Sequence, residues 1–332
     1  MTPTIKLIAK KANVSIATVS RALNNDSKVK LETREKILSI SRELNYKPNL
    51  IARSFVKKTT NIIGLILPDI SDEFFTEIIR GVDEVSYKNG FYTMVASSHG
   101  YRTLAESFLA FANTGLIGGA IILMSTFSED IKKALLQSKI PIVLISGGKE
   151  DLGYATVAID SYQGAFNITE YLILKKGFKK IAHITGPVDN DDSFLRKKGF
   201  VEACKKHNIN VPKHFIANGD FTKESGYHNF IQLYNQTERP QAIFAANDMM
   251  ALGCYEAISY LNLDIPEDIA LVGFDDIFIS QYLNPGLTTV RVQIEEVGKA
   301  AAELLIEKFN GTNDKLHPIV KIPTDLIVRN SC

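Results

Sequence analysis

Along residues 61–332, short apolar runs recur with helix-like stretches between them, and this alternation limits the folds open to the chain more than any other feature. The runs fall at 62–67, 92–96, 120–123, 142–145, 180–184, 242–245 and 269–273, and helical spacing is found at 73–88, 161–175, 194–207, 225–234, 249–261 and 294–309. A strand followed by a helix and a further strand must cross over and return parallel. The expected body is therefore α/β, built on doubly wound parallel sheets with helices on both faces. Ligands of such sheets bind at the carboxyl ends of the strands.

The first sixty residues read differently. Two short helical patterns, 5–12 and 16–23, flank Asn13-Val14-Ser15, and Ile8, Ala9, Ala12, Val14, Val19, Ala22 and Leu23 would face one another across that turn. Ala9 permits close approach, Asn13 tolerates the left-handed conformation, and Ser15 can cap the second helix. This is a small all-α helix-turn-helix pattern. A third helix near 32–44 offers Ile37, Leu38, Ser41 and Leu44 to close its core. Residues 1–60 hold 13 Lys and Arg against 4 Asp and Glu, a formal +9, whereas residues 61–332 hold 25 against 33, a formal −8. A basic head on an acidic body points to a polyanion partner for the head, with a merely solvated lysine face as the alternative.

If the second helix enters a major groove, its N-terminal residues meet the base edges. Ile16, Ala17 and Thr18 come first and Ser20, Arg21 and Asn24 follow; Ile16 and Ala17 have no side-chain donor and could read only thymine methyls. Core packing is the competing role for Ile16. The stretch 46–58, YKPNLIARSFVKK, carries a Pro48-Asn49 start signal and helix-like apolar spacing. Such a helix is too short to persist alone in water, so it should order only when something holds it.

The body has no complete GxGxxG, Walker A, HExxH or GxSxG and no Ser/His/Asp order, and the glycines between 115 and 119 precede a strand where a dinucleotide loop would follow one. No catalytic residues, cofactor or metal are expected. Cys204, Cys254 and Cys332 lack metal spacing and suit a reducing compartment. With no signal-like apolar core and no run of about 18 apolar residues, no membrane association and a cytoplasmic location are expected. Polar residues follow the strand signals at Asp69, Asp160, Asn247-Asp248 and Asp275-Asp276. Each could be a helix cap. Together with Arg196, Phe74, Phe75 and Phe221 they would ring a cleft suited to a polyhydroxy ligand.

The run TIKLIAKKANVSIATVSRALNNDSKVKLETREKILSISRELNYKPNLIARS resembles the DNA-binding head and hinge of the LacI/GalR family of bacterial transcriptional repressors. PDISDEFF, GDFTKESGY, AIFAANDMMALG, IPEDIALVGFDD and LTTVRVQIEEVGKAAAELL extend the likeness through a periplasmic-binding-protein-like type I body. The resemblance implies a head at 1–48, a hinge helix and linker at 49–60 and an effector-binding, dimerising body at 61–332. The N-subdomain would take about 61–160 and 287–322, and the C-subdomain about 161–286 and 323–332, with crossovers near Asp160, Gly286 and Pro323.

It implies operator selection by Ile16 and Ala17, and DNA contact or backbone support by Thr4, Ser15, Thr18, Ser20, Arg21, Asn24, Tyr46, Asn49, Ala52, Arg53 and Phe55. Effector contacts fall on Phe74, Phe75, Asp160, Arg196, Phe221, Asn247 and Asp275. Phe55 stands where the family usually has Leu as a minor-groove wedge, Leu7 where an acidic residue is common, and Lys30 where a Ser often caps the third helix. The implied function is allosteric: double-stranded operator DNA is bound by a homodimer and a small effector, a sugar or sugar derivative, controls that binding. A doubly wound enzyme, and a cytoplasmic relative of solute-binding proteins without DNA binding, are the contrasting readings. The closing TDLIVRNSC adds no heptad segment, which gives the expectation of a two-fold dimer.

Overall fold

The computed structural model describes residues 3–23, 25–46, 60–98, 102–124, 126, 128–147, 153–311 and 317–332. They fall into two compact units, Met1–Thr60 and Asn61–Cys332. The expected hinge contacts Asn49, Ala52, Arg53 and Phe55 lie outside the described residues, as does Asn24.

The first unit holds α1 (Ile5–Ala12), α2 (Ile16–Leu23) and α3 (Leu31–Glu43). Thr4 caps α1 by accepting the Leu7 N–H, and Asn13 ends that helix in the left-handed region at φ 57°. Ser15 Oγ then accepts the Thr18 N–H at 3.1 Å and opens α2. Ile8, Val19 and Ile37 are wholly buried, with Ala9, Ala12, Ala22 and Val29 around them. Leu44 packs against this core as expected, but Leu38 does not join it, and Ile40 takes its place. Residues three, four and seven positions after Ile37 share its face, whereas Leu38 is turned about 100° away from it. Lys30 gives α3 no side-chain cap. Arg34 steadies the preceding loop, donating from Nη2 to the Asp26 carbonyl at 2.6 Å.

In the second unit β1 (Ile62–Leu67), β2 (Tyr92–Ser97), β3 (Gly119–Leu123), β4 (Ile142–Ile145), β5 (Ala155–Ile159) and β11 (Ile319–Ile322) form a parallel sheet in the order β11-β5-β4-β3-β1-β2. β6 (Ile181–Thr185), β7 (Ile216–Asn218), β8 (Ala242–Ala245) and β9 (Ala270–Val272) form a second parallel sheet, β7-β6-β8-β9. β1, β3, β4, β5 and β6 are almost entirely buried, which is why they read as continuous apolar runs. β10 (Thr289–Val292) and β12 (Thr324–Ile327) depart from the parallel pattern and pair antiparallel. One carries the chain from the second sheet towards the first and the other brings it back, so their directions must oppose.

The helices are α4 (Glu73–Lys88), α5 (Leu104–Ala112), α6 (Glu129–Gln137), α7 (Ser161–Leu174), α8 (Asp191–Lys206), α9 (Lys223–Tyr234), α10 (Asp248–Tyr260) and α11 (Ile294–Phe309). α4 and α11 pack at glycine: a Cβ on Gly81 would collide with the Glu295 carbonyl, and one on Gly298 with that of Ile78. α9 and α10 meet likewise at Gly226 and Gly253. No helix among the described residues is long and apolar enough to cross a membrane.

Candidate functional site

On the first unit, the start of α2 presents Ile16, 45% exposed, and an exposed Ala17. Ile16 is therefore no core residue, and these two side chains contribute little to the helical packing beneath them. Ser15 and Thr18 hydroxyls lie 2.9 Å apart beside them, and Arg21 is exposed one turn on. Thr4 is exposed and occupied as the α1 cap; Ser20 is half-buried. Tyr46 packs against the core of the head, its N–H bonded to the Ser41 carbonyl at 2.9 Å. The face combines a positive formal charge with a protruding apolar pair, chemistry that suits phosphate attraction plus methyl contact.

In the second unit a cavity of about 540 Å3 opens where the strands end. The segment after β1 supplies Asp69, Asp72, Phe74 and Phe75; the segments after β6, β8 and β9 supply Asn190, Asn247 and Asp275. Phe74 and Phe75 meet edge to face, ring centres 5.6 Å apart. Arg196 enters from α8. It is buried, donates from Nη1 to the Ala246 carbonyl at 2.5 Å and from Nε to Ser161 Oγ at 3.4 Å, and stacks 3.8 Å over the Phe274 ring. Its Nη2 lies 3.3 Å from Asp275 Oδ1, yet that oxygen is buried and accepts no hydrogen bond among the described residues. The pairing is electrostatic only.

Burial pushes the Asp275 carboxyl up to about 8 against the pull of Arg196, with Asp248, Asp72 and Asp192 adding to the rise. Asp72 and Asp192 are also raised, burial being the largest cause for each. Asn247 accepts the Met250 N–H through Oδ1 at 2.9 Å and donates from Nδ2 to the Phe221 carbonyl at 3.0 Å. Phe221 and Asp275 both have positive φ, 72° and 110°. Such backbone in non-glycine residues persists only where its surroundings over-determine it, and it concentrates at functional sites.

Of the expected cleft residues, Phe74, Phe75, Arg196, Phe221, Asn247 and Asp275 share this lining, together with Asp69. Asp160 does not line it: it caps α7 by accepting the Gln163 N–H and faces Lys321 Nζ at 3.5 Å, while its neighbour Ile159 reaches the cavity. Asp248 and Asp276 also fall outside the lining. Asp248 is buried among Ser280 Oγ, Thr289 Oγ1 and the Ile277 N–H, and burial lifts it to about 7. Asp276 grips Arg291 on β10 and Arg329 beyond β12, each at 2.7 Å. Sequence reasoning missed Asp72, Asn190 and Asp192 as lining residues, and Phe274 behind Arg196. A signal existed for the first two, because Asp72 and Asn190 cap α4 and α8 and caps sit where strands give way to helices.

Residues 4–49 match the family described as bacterial regulatory proteins, lacI family, and residues 170–332 match a periplasmic binding protein-like domain. The HTH-type transcriptional repressor PurR of Klebsiella pneumoniae subsp. pneumoniae is 31% identical over 330 residues, 99% of this chain and 96% of that protein. Among solved structures, the lac repressor dimer bound to operator and the anti-inducer ONPF superposes with a TM-score of 0.89 at 25% identity, covering 100% of this chain and 99% of the other. The transcriptional regulator CelR in complex with cellobiose gives 0.76 at 27% identity, covering 99% and 100%.

Proposed function

Because the chain belongs to the LacI family of bacterial regulatory proteins, we propose that it is a transcriptional repressor. It binds operator DNA as a two-fold dimer, and a small polyhydroxylated effector in the body cavity sets its grip. Residues 1–48 are the DNA-reading head, 49–60 the hinge and 61–332 the effector body, and the protein acts in the cytoplasm on the cell's own DNA. Ile16 and Ala17 choose the operator by methyl contact. Thr4, Ser15, Thr18, Ser20, Arg21, Asn24 and Tyr46 hold the head on phosphates and bases. Asn49, Ala52, Arg53 and Phe55 act in the hinge, with Phe55 as the minor-groove wedge.

The observation that carries the effector reading is the Arg196–Asp275 pair on the cavity lining, buried and held by charge, with a carboxylate Oδ1 that accepts no hydrogen bond among the described residues. A ligand hydroxyl or amine meeting the pair from the cavity would add a donor that the carboxylate lacks. Phe221 and Phe74 supply apolar faces for a sugar ring, and the cellobiose complex of CelR supports a carbohydrate. Effector binding changes how the two sheets lie across the cavity, and through the dimer changes the spacing of the hinges.

The test is fluorescence anisotropy of the full chain on DNA from its neighbouring promoter region, with and without members of a carbohydrate library. Specific binding with an affinity shifted by one or more ligands is expected. Failure to prefer promoter DNA over random duplex overturns the repressor reading, and specific binding that no carbohydrate or carbohydrate derivative shifts overturns the effector reading.

A further inference from the structure

The cavity has many acceptors and few free donors. Its lining carries six carboxylates, Asp69, Asp72, Asp192, Asp220, Glu224 and Asp275, against Arg196 and Lys223. The donors are largely occupied. Arg196 is engaged by Ala246, Ser161 and Asp275, Lys223 pairs with Glu256 at 3.1 Å, and the Asn247 amide is bonded on both sides. Asp69 and Asp220 are taken up by their own loops. Asp192 accepts one hydrogen bond from Ser161 Oγ at 2.8 Å and Asp72 one from the Phe75 N–H at 3.4 Å, which leaves acceptor capacity on each; Asp192 and Asp275 share the one guanidinium of Arg196. Asp275 lines the cavity at 6% exposure, and its Oδ1, sealed beneath the surface, accepts no hydrogen bond among the described residues.

Carboxylates gathered in a partly dry site repel one another and favour any positive charge placed among them. With a neutral sugar bound, that repulsion is relieved only by Arg196 and by the proton that burial keeps on Asp275 near neutral pH, and a phosphorylated or carboxylated ligand increases it. An ammonium brings three donors and the missing charge together.

We propose that the effector is a cationic, amine-bearing sugar or polyol whose ammonium sits among Asp72, Asp192 and Asp275. This rests on the effector reading above. Asp72 follows a strand of the six-stranded sheet, whereas Asp192 and Asp275 follow strands of the four-stranded sheet. One ammonium between them links the two halves of the body, so its charge also bears on the conformation the ligand selects.

The test uses the full-length protein and matched probes: glucose, galactose and mannose, their 2-amino counterparts, and their 6-phosphates. Each is followed by calorimetry and thermal shift at neutral pH. At least one amine is expected to bind about tenfold or more tightly than its hydroxyl twin, and no 6-phosphate is expected to bind. In Asp72→Asn, which keeps a capping side chain for α4, the preference for that amine should fall towards parity. A neutral hexose that binds as well as its amine, any bound 6-phosphate, or a preference unchanged by Asp72→Asn overturns the proposal and leaves a polyhydroxy effector standing. A panel in which nothing binds counts against both.

Discussion

Arg196 shows how one buried charge can serve recognition. Its guanidinium is stacked on Phe274, tied to a backbone carbonyl and set against Asp275, so it is held in place before any ligand arrives. Arg196→Ala should leave operator affinity close to wild type in fluorescence anisotropy but abolish its response to effector. Lost DNA binding would instead assign the residue to folding.

His183 makes a different prediction. It is wholly buried between Phe200 and Phe244, bonded through Nδ1 to the Phe244 carbonyl at 2.8 Å, and burial depresses it to about 4. The neutral ring is the folded form, so its contribution is full above the unfolded value near 6.5 and is lost as pH falls towards 4. Asp248 and Asp275 have the opposite sign: their contributions are full below about 4 and are lost as pH rises through about 7 and 8. Comparing wild type with His183→Phe isolates the histidine. The stability difference between the two proteins, read by chemical denaturation, should change by about 3 kcal/mol between pH 7 and pH 4. At this scale the sequence was legible only where chemistry is strongly typed. Arg196 and Asp275 stood out, whereas Asp248 and Asp276, which also follow strands, could not be separated from them. Which way a carboxylate turns depends on partners such as Thr289 and Arg329, far along the chain.

The elements were more readable than the residues. α1, α2, α4 and α11 start and stop where spacing and capping place them to within a residue, as do β1, β4 and β8. The omissions have causes. β7, β10, β11 and β12 are short and only partly buried, so polar or charged residues break each of them and none reads as an apolar run, whereas β4 and β8, equally short, are buried throughout. α5 carried a capping box, Thr103 with Glu106, that was legible but unused.

Two predictions belong to helices. Gly253 lies where α10 meets the start of α9 with no room for a methyl group, so Gly253→Ala should lower stability by about 2–3 kcal/mol in urea unfolding. On α2, the proposed role of Arg21 is phosphate contact. Arg21→Ala should weaken operator and random DNA alike, and should reduce the slope of log K against log salt by about one. Loss confined to operator DNA would assign Arg21 to the bases instead.

For the molecule as a whole, the change of sign in charge near residue 60 was the most informative compositional fact, and the compact units divide at the same place. Division of labour follows as a prediction. A protein beginning at Thr59 should keep the cavity and its ligand response by thermal shift, and should lose specific binding to the promoter. Retained promoter binding would contradict the role of the head. What the sequence could not convey was the closed network joining distant segments, in which Asp276 holds Arg291 and Arg329 while Leu271 and Thr288 bond to Ser331. These contacts are set by three-dimensional closure and leave no local pattern.

The exposure of Ile16 and Ala17 over a sealed core has an evolutionary consequence. Two positions that carry little of the folding energy are free to drift, so, if they choose the operator as proposed, a duplicated gene can try new operators by single codon changes without first acquiring compensating mutations. Retargeting of this kind would leave the body untouched.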